Sequence, residues 1–171
     1  MELRKTLQFV HDLLAQAKID HALIGGLALV NFGLDRATVD VDLIIDEVHK
    51  VSAKDLLIKN NFNLAHESED ILQFDGMGYV DILLARRPIS REMMKNATVI
   101  PDLQIKCLKA EDIIGLKIQA FSNDPSREFQ DKADIQFLLQ DESLDWDKIK
   151  STADLFGKGV ELEEIKKKIK L

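Results

Sequence analysis

The sequence predicts an α/β fold of the α+β kind: a small mixed, mainly antiparallel sheet flanked by helices, followed by a helical C-terminal part. Two observations predict this fold. Short apolar segments of alternating polarity recur over the first hundred residues, with helical periodicity between them. From about residue 105 onward only helical patterns remain. We therefore expect a core of residues 1–104 and a helical part of residues 105–171 that packs on it.

The elements of the core follow from the spacing of apolar residues and turn residues. The first helix places its apolar residues on one stripe, at Leu3, Leu7, Val10, Leu14 and Ala17. The turn-forming sequences "ESED" and "DGMG" separate the last three strands, so these should form an antiparallel meander. In order, we expect a helix (2–18), a strand (21–24), a short helix (27–34), a strand (37–45), a helix (47–60) and three strands (62–66, 71–74 and 79–85).

The C-terminal part should consist of four helices. Each predicted segment carries apolar residues at helical spacing, with polar residues between them. The expected helices span residues 109–121, 126–140, 146–156 and 160–170.

Composition narrows the possible functions. With 46% hydrophobic and 31% charged residues the chain is typical of a soluble globular protein, and no apolar run approaches the roughly 20 residues of a membrane span. A single cysteine, Cys107, excludes an internal disulfide and favours the cytoplasm, and the four scattered histidines lack zinc-ligand spacing. A net charge of −7 argues against a surface built mainly for nucleic acid.

Two short basic segments could still contact RNA. One contains Arg86, Arg87 and Arg91, and the other contains Lys166, Lys167, Lys168 and Lys170. A solvated face, or a helix C-terminus that favours positive charge, is the preferred interpretation of each.

Two aspartates interrupt the strand predicted at residues 37–45. Side chains alternate along a strand, so Thr38, Asp40 and Asp42 share one face, and the opposite face is fully apolar. The two carboxylates then lie about 6.5–7 Å apart along the strand. Like charges held that close repel each other unless a cation lies between them. A divalent ion such as Mg²⁺ suits one or two carboxylates together with substrate phosphates.

Two further features complete a candidate site. Gly25 and Gly26 lie where a strand turns into a helix, and such a bend allows close backbone approach to an anion. Asp81 interrupts the apolar strand 79–85, and a third carboxylate can bind a second ion or accept the proton of an attacking hydroxyl. Together these residues predict a site for a nucleotide and a metal ion.

The order Gly25-Gly26, Asp40-Val41-Asp42 and Asp81 resembles the pattern of the nucleotidyltransferase superfamily, which includes DNA polymerase beta, tRNA nucleotidyltransferases and aminoglycoside nucleotidyltransferases. The helical segments "GLKIQAF" and "DKADIQFLL" are most similar to toxin-type and uncharacterised bacterial members. The resemblance spans roughly residues 20–140. It implies transfer of a nucleoside monophosphate from a nucleoside triphosphate such as ATP to an acceptor hydroxyl, with release of pyrophosphate.

The expected roles of the acids follow from this resemblance and from the carboxylate chemistry. Asp40, Asp42 and Asp81 are the predicted catalytic residues and the predicted ligands of Mg²⁺ or, alternatively, Mn²⁺. The residues expected to contact the nucleotide are Gly25, Gly26, Arg36, Thr38 and Lys117.

Alternatives stay open at several of these positions. Lys117 lies on the apolar stripe of its helix and needs a partner there, either the triphosphate or a structural pair with Asp131 or Asp134. A surface salt bridge is preferred for Arg36. The acceptor is tRNA or another RNA, a small molecule or a protein, and a toxin-like enzyme would have an antitoxin partner. The alternative function is a catalytically silent module that binds a nucleotide or a partner.

Overall fold

The computed structural model describes residues 3–169, which form two compact units. Within these residues, the first unit contains a seven-stranded sheet and four α-helices, and the second unit contains four α-helices. The first unit ends at Leu108 and the second begins at Lys109. The strands of the first unit are β1 (His21–Leu23), β2 (Asp40–Asp46), β3 (Asn63–Glu67), β4 (Ile71–Asp75), β5 (Tyr79–Ala85), β6 (Thr98–Ile100) and β7 (Ile105–Cys107). Its helices are α1 (Leu3–Gln16), α2 (Gly25–Asn31), α3 (Lys50–Lys59) and α4 (Pro88–Lys95), with a 3₁₀ turn at Glu47–His49 before α3.

The sheet is mixed and mainly antiparallel, as predicted. Its strand order is β3-β4-β5-β2-β1-β7-β6. The pairs β2–β5 and β1–β7 are parallel, and the other four pairs are antiparallel. Strands β3, β4 and β5 form the predicted meander, and β5 continues the sheet by pairing along the full length of β2.

Alternation of side chains gives the sheet one buried face. Val41 and Leu43 of β2 and Val80 and Ile82 of β5 are fully buried, with Leu72 and Phe74 of β4 in the same rows. Helix α1 packs against α3 and against β2, and it buries Leu7, Val10 and Leu14. The apolar face therefore fixes the register of the strands, and the polar residues between are left on the other face.

Several elements differ from the prediction. Strand β2 begins at Asp40 and not at residue 37, because its ladder with β5 starts at the pair Asp40–Tyr79. Helix α2 begins at Gly25, two residues earlier than expected, and Ala17 lies exposed beyond the end of α1. Helix α4 and strands β6 and β7 have no counterpart in the prediction. Strands of three residues are too short for alternation to show; β1 is equally short, but the Gly25-Gly26 bend marks its end, and β6 and β7 lack such a signal. Helix α4 has only eight residues, with Pro88 at its start.

The second unit contains the four helices expected in this region: α5 (Ala110–Asn123), α6 (Glu128–Leu138), α7 (Trp146–Leu155) and α8 (Gly159–Ile169). Helix α5 packs against α6 and α7, and α8 packs against α6 and α7. The buried apolar side chains include Ile114, Ile118, Ile135, Ile149 and Leu162. Within residues 3–169, no helix combines the length and the apolar character needed to cross a membrane.

Candidate active site

Three carboxylates meet on the polar face of the sheet where β2 pairs with β5. Asp42 and Asp81 are direct partners across this parallel ladder, and Asp40 lies two residues before Asp42 on the same face. One carboxylate oxygen from each of the three lies within 4.8 Å of the others, and all three residues are half-buried. We call Asp40, Asp42 and Asp81 the acidic triad. The structure thus brings together the three acids that the sequence analysis singled out.

Each carboxylate of the acidic triad accepts a hydrogen bond from a neutral donor. The three bonds run from the hydroxyl of Thr38 to Asp40 Oδ1 (2.8 Å), from the backbone N–H of Gly26 to Asp42 Oδ2 (3.4 Å), and from the amide Nε2 of Gln73 to Asp81 Oδ2 (2.8 Å). Carboxylates that bind metal ions are commonly oriented by such hydrogen bonds. These donors orient the acids without adding positive charge.

Gly25 and Gly26 make room for two of the polar side chains. Gly25 has φ +62°, and a Cβ there would lie 2.0 Å from Asp42 Oδ2. A Cβ on Gly26 would lie 2.6 Å from the Thr38 hydroxyl oxygen. Close approach of the backbone to Asp42 and Thr38 therefore requires glycine at both positions. The predicted contact of these glycines with phosphate stays a prediction.

The acidic triad could hold a divalent metal ion. Carboxylate oxygens are the ligands that Mg²⁺ and Mn²⁺ prefer, and three of them from two neighbouring strands lie close enough to share one ion. The residues therefore fit the ion predicted from the sequence.

Lys117 lies in α5 of the second unit, where it is buried. Its ammonium Nζ lies 3.0 Å from Asp131 Oδ1 and 2.6 Å from Asp134 Oδ2, both on α6. We call Lys117, Asp131 and Asp134 the buried ion cluster; Arg127 also approaches Asp131 (Nε–Oδ2 3.3 Å). Of the two partners considered for Lys117, the structure contains the acidic pair. A role toward pyrophosphate stays a prediction, as does the role of Arg36, which is half-buried four residues before β2.

Residues of both basic segments contact acidic side chains or an aromatic ring. Arg86 lies 2.8 Å from Glu69 and 3.3 Å from Asp70, and the Nε of Arg91 lies 3.0 Å from Asp46 Oδ2. In the second segment, the ammonium of Lys166 lies 3.3 Å from the ring centre of Trp146. Lys170 lies outside the described residues. These contacts support the preferred interpretation of both segments as ordinary surface charge.

Sequence reasoning missed Gln73. It lies in β4 between the buried residues Leu72 and Phe74, and a single glutamine in an alternating strand carries no signal of function. Only the pairing of Gln73 with Asp81 across the β4–β5 ladder places its amide beside the acidic triad.

Cysteine chemistry has no support in the structure. Cys107 is buried in β7, and burial raises the pKa of its thiol to about 12. The thiol therefore stays protonated at neutral pH, and a protonated thiol is a poor nucleophile and metal ligand.

Comparison with solved structures assigns the fold: the chain has the nucleotidyltransferase fold. ANT(2'')-Ia in complex with adenylyl-2''-tobramycin is 14% identical over 92% of this chain and 98% of that chain, with a TM-score of 0.70. An antigenic nucleotidyltransferase-like protein from Paracoccidioides brasiliensis is 21% identical over 97% and 92%, with a TM-score of 0.59. The lincosamide antibiotic adenylyltransferase LnuA, bound to lincomycin, is 18% identical over 81% and 96%, with a TM-score of 0.57.

The sequence itself has no such match. No protein-family model matches the chain, and a search of curated proteins finds no relative. At identities of 14–21% the likeness to the solved structures establishes the fold alone. The toxin-type resemblance and the antitoxin partner stay predictions.

Proposed function

We propose that this protein is a metal-dependent nucleotidyltransferase that moves a nucleoside monophosphate from a nucleoside triphosphate to a hydroxyl group of a small molecule. The observation that carries the proposal is the convergence of Asp40, Asp42 and Asp81 on one face of a nucleotidyltransferase fold. Three oriented carboxylates within reach of one another suit a metal-assisted phosphoryl reaction.

The acids have distinct proposed roles. Asp40 and Asp42 would hold a divalent ion, which when bound neutralises negative charge at the phosphate oxygens. Asp81 either completes a second ion site or accepts the proton of the acceptor hydroxyl. The acceptor oxygen forms a bond to the α-phosphorus, the bond from that phosphorus to the bridging oxygen breaks, and pyrophosphate leaves. The proton of the hydroxyl passes to the base.

The nucleotide should lie beside Gly25, Gly26 and Thr38. These residues contact the acidic triad directly, so a triphosphate that shares an ion with Asp40 and Asp42 would lie next to them. We further propose that Arg36, which lies just before β2, contributes positive charge on the phosphate side.

Two observations favour a small-molecule acceptor over RNA. The structural neighbours include a complex with adenylyl-2''-tobramycin and a lincosamide adenylyltransferase bound to lincomycin. The chain also carries a net charge of −7, and residues of both basic segments already contact acidic side chains or an aromatic ring. Binding of a polyanion such as RNA needs several cations that are available to its phosphates. A small hydroxyl-bearing acceptor has no such requirement.

The test is a transfer assay with the full chain. The protein is incubated with each of four labelled nucleoside triphosphates and Mg²⁺, in the presence of an aminoglycoside, a lincosamide, total cell RNA or a protein extract. We expect pyrophosphate release and label on a small molecule in the wild type, and neither in Asp42→Asn. Label on RNA would keep the reaction but overturn the acceptor. Nucleotide binding by calorimetry without pyrophosphate release for any acceptor would favour a silent binding module.

A further inference from the structure

Gln73 lies beside the acidic triad but belongs to a different strand from all three acids. We infer that Gln73 is a positioning residue, which sets the orientation of Asp81 for binding of the metal ion. This inference rests on the proposed function and adds a fourth side chain to the same site.

The strand register places Asp81 between two different neighbours. On one side, Asp42 of β2 is its partner in the parallel ladder; on the other, Gln73 of β4 is its partner in the antiparallel ladder. Gln73 Nε2 donates to Asp81 Oδ2 at 2.8 Å. A carboxylate can only accept hydrogen bonds, so the nitrogen of the amide and not its oxygen faces Asp81. The assignment of the amide is therefore fixed by its partner.

A neutral donor at this position suits a metal ligand. A hydrogen bond donated to one oxygen of a carboxylate orients the group and leaves its other oxygen available to a metal ion. Holding Oδ2 on the β4 side also fixes the plane of the carboxylate, and with it the direction of Oδ1. A lysine would bring a competing positive charge, and a glutamate would add a third acid next to Asp81 and Asp42. An amide orients Asp81 without either effect.

A purely structural role for Gln73 makes a different prediction. If its amide only occupied the polar face of β4, its replacement would change stability but would not change metal affinity. The metal affinity of a folded Gln73 variant therefore separates the two roles.

The experiment measures binding of Mn²⁺ to the full chain at pH 7.5 by electron paramagnetic resonance of the free ion. Gln73→Met keeps the length of the side chain and removes the donor. We expect Mn²⁺ to bind about 10- to 100-fold more weakly to this variant than to the wild type.

Asn63→Leu is the matched control. The Asn63 amide donates to Asp75 Oδ1 at 2.9 Å across the neighbouring β3–β4 ladder, so this variant also removes an amide–carboxylate bond, but away from the acidic triad. It should bind Mn²⁺ as the wild type does. Circular dichroism checks the fold of each variant, and Gln73→Thr, which favours a strand, replaces Gln73→Met if the latter does not fold.

The outcomes separate this inference from the proposed function. Wild-type Mn²⁺ affinity in the folded Gln73 variant would overturn the inference and leave the proposed function intact. An equal loss of affinity in Asn63→Leu would also overturn it, because the effect would then not be specific to Asp81. A wild-type chain that binds no Mn²⁺ would overturn the proposed function itself and the inference with it.

Discussion

The acidic triad of the first unit and the buried ion cluster of the second differ in what surrounds their carboxylates. In the acidic triad, Asp40, Asp42 and Asp81 are half-buried on a sheet face and accept hydrogen bonds from a hydroxyl, a backbone N–H and an amide. In the buried ion cluster, Asp131 and Asp134 are almost inaccessible and contact the ammonium of Lys117. The acids of the first cluster are partly accessible, whereas those of the second are buried against the ammonium of Lys117.

The difference indicates different purposes. A buried carboxylate pair that holds a lysine is balanced within the folded chain, and removal of the lysine leaves uncompensated charge inside the protein. Three half-buried carboxylates that lie close together are suited to a cation from solvent. We therefore expect substitutions in the acidic triad to change activity and those in the buried ion cluster to change stability.

The largest expected effect is the loss of activity in Asp42→Asn. Loss of a metal ligand removes charge neutralisation worth several kcal/mol, so pyrophosphate release should fall at least about 10³-fold. The free energy of unfolding, measured by urea denaturation, should change by less than about 1 kcal/mol, because repulsion within the triad also falls. Asp40→Asn should behave in the same way.

Asp75→Asn is the control for this prediction. Asp75 is half-buried in β4, two residues after Gln73, and its replacement makes the same chemical change outside the triad. It should keep wild-type activity. Full activity in Asp42→Asn, or equal losses in both variants, would contradict the assignment of the triad.

The second largest effect is expected for Lys117→Met, which removes the lysine of the buried ion cluster. This substitution removes the buried ammonium that contacts both Asp131 and Asp134, while Arg127 stays 3.3 Å from Asp131, so the free energy of unfolding should fall by about 3 kcal/mol. In the control Lys150→Met, the lost partner is Glu163 in a largely exposed pair at 3.5 Å, and about 0.5 kcal/mol or less is expected.

Neutralising both acids should reverse the loss. Addition of Asp131→Asn and Asp134→Asn to Lys117→Met removes the uncompensated charge, so part of the stability should return. Wild-type stability in Lys117→Met together with slower pyrophosphate release would instead support the predicted nucleotide role of Lys117, and would remove the contrast between the clusters.

A smaller effect is expected from Gly25→Ala, which acts on the triad through its geometry. The new Cβ would lie 2.0 Å from Asp42 Oδ2, so this carboxylate must move, and Mn²⁺ binding measured by paramagnetic resonance should weaken by about tenfold or more. The matched control is Gly157→Ala, since Gly157 has φ +65° but no atom within 4 Å of the added Cβ. It should lose about 1–2 kcal/mol of stability from backbone strain alone and keep its Mn²⁺ affinity. Equal affinities in the two variants would contradict the close approach.

The smallest effect concerns a buried polar group outside both clusters, His21. Burial lowers the pKa of His21 below 6.5, and its hydrogen bond with the Ile19 carbonyl opposes this shift only in part. The unfolded chain therefore binds more protons than the folded chain as the pH falls through about 6.5, and the free energy of unfolding should decrease in that range.

Urea denaturation at pH 7.5 and pH 5.5 checks this prediction. His21→Gln should reduce the difference in stability between the two pH values, and His66→Gln, at an exposed position of β3, should leave it unchanged. A wild type that is equally stable at both pH values would show that burial of a neutral histidine has no measurable cost in acid.

The sequence predicted the helices of the second unit and the central strands because each has a regular period over seven or more residues. It failed where elements are short or where an end depends on a partner. The sequence of residues 37–39 alternates like that of the strand itself, so it does not show that the strand begins at Asp40. The strand begins there because Asp40 is the first residue that pairs with β5, opposite Tyr79. Strands β6 and β7 span three residues each, and they form because they pair with each other and because β7 pairs with β1.

By itself, the sequence determined the local features on which the proposed site depends: two acids on one face of an apolar strand, a third in a later strand, and a glycine pair at a bend. Local alternation decides the face of each side chain, and alternation can be read from the chain alone. Only the tertiary structure decided that Asp81 lies beside Asp42, that Gln73 donates a hydrogen bond to Asp81, and that Lys117 has two acidic partners. Strand register and helix packing join residues far apart in the chain, and these contacts depend on the whole core.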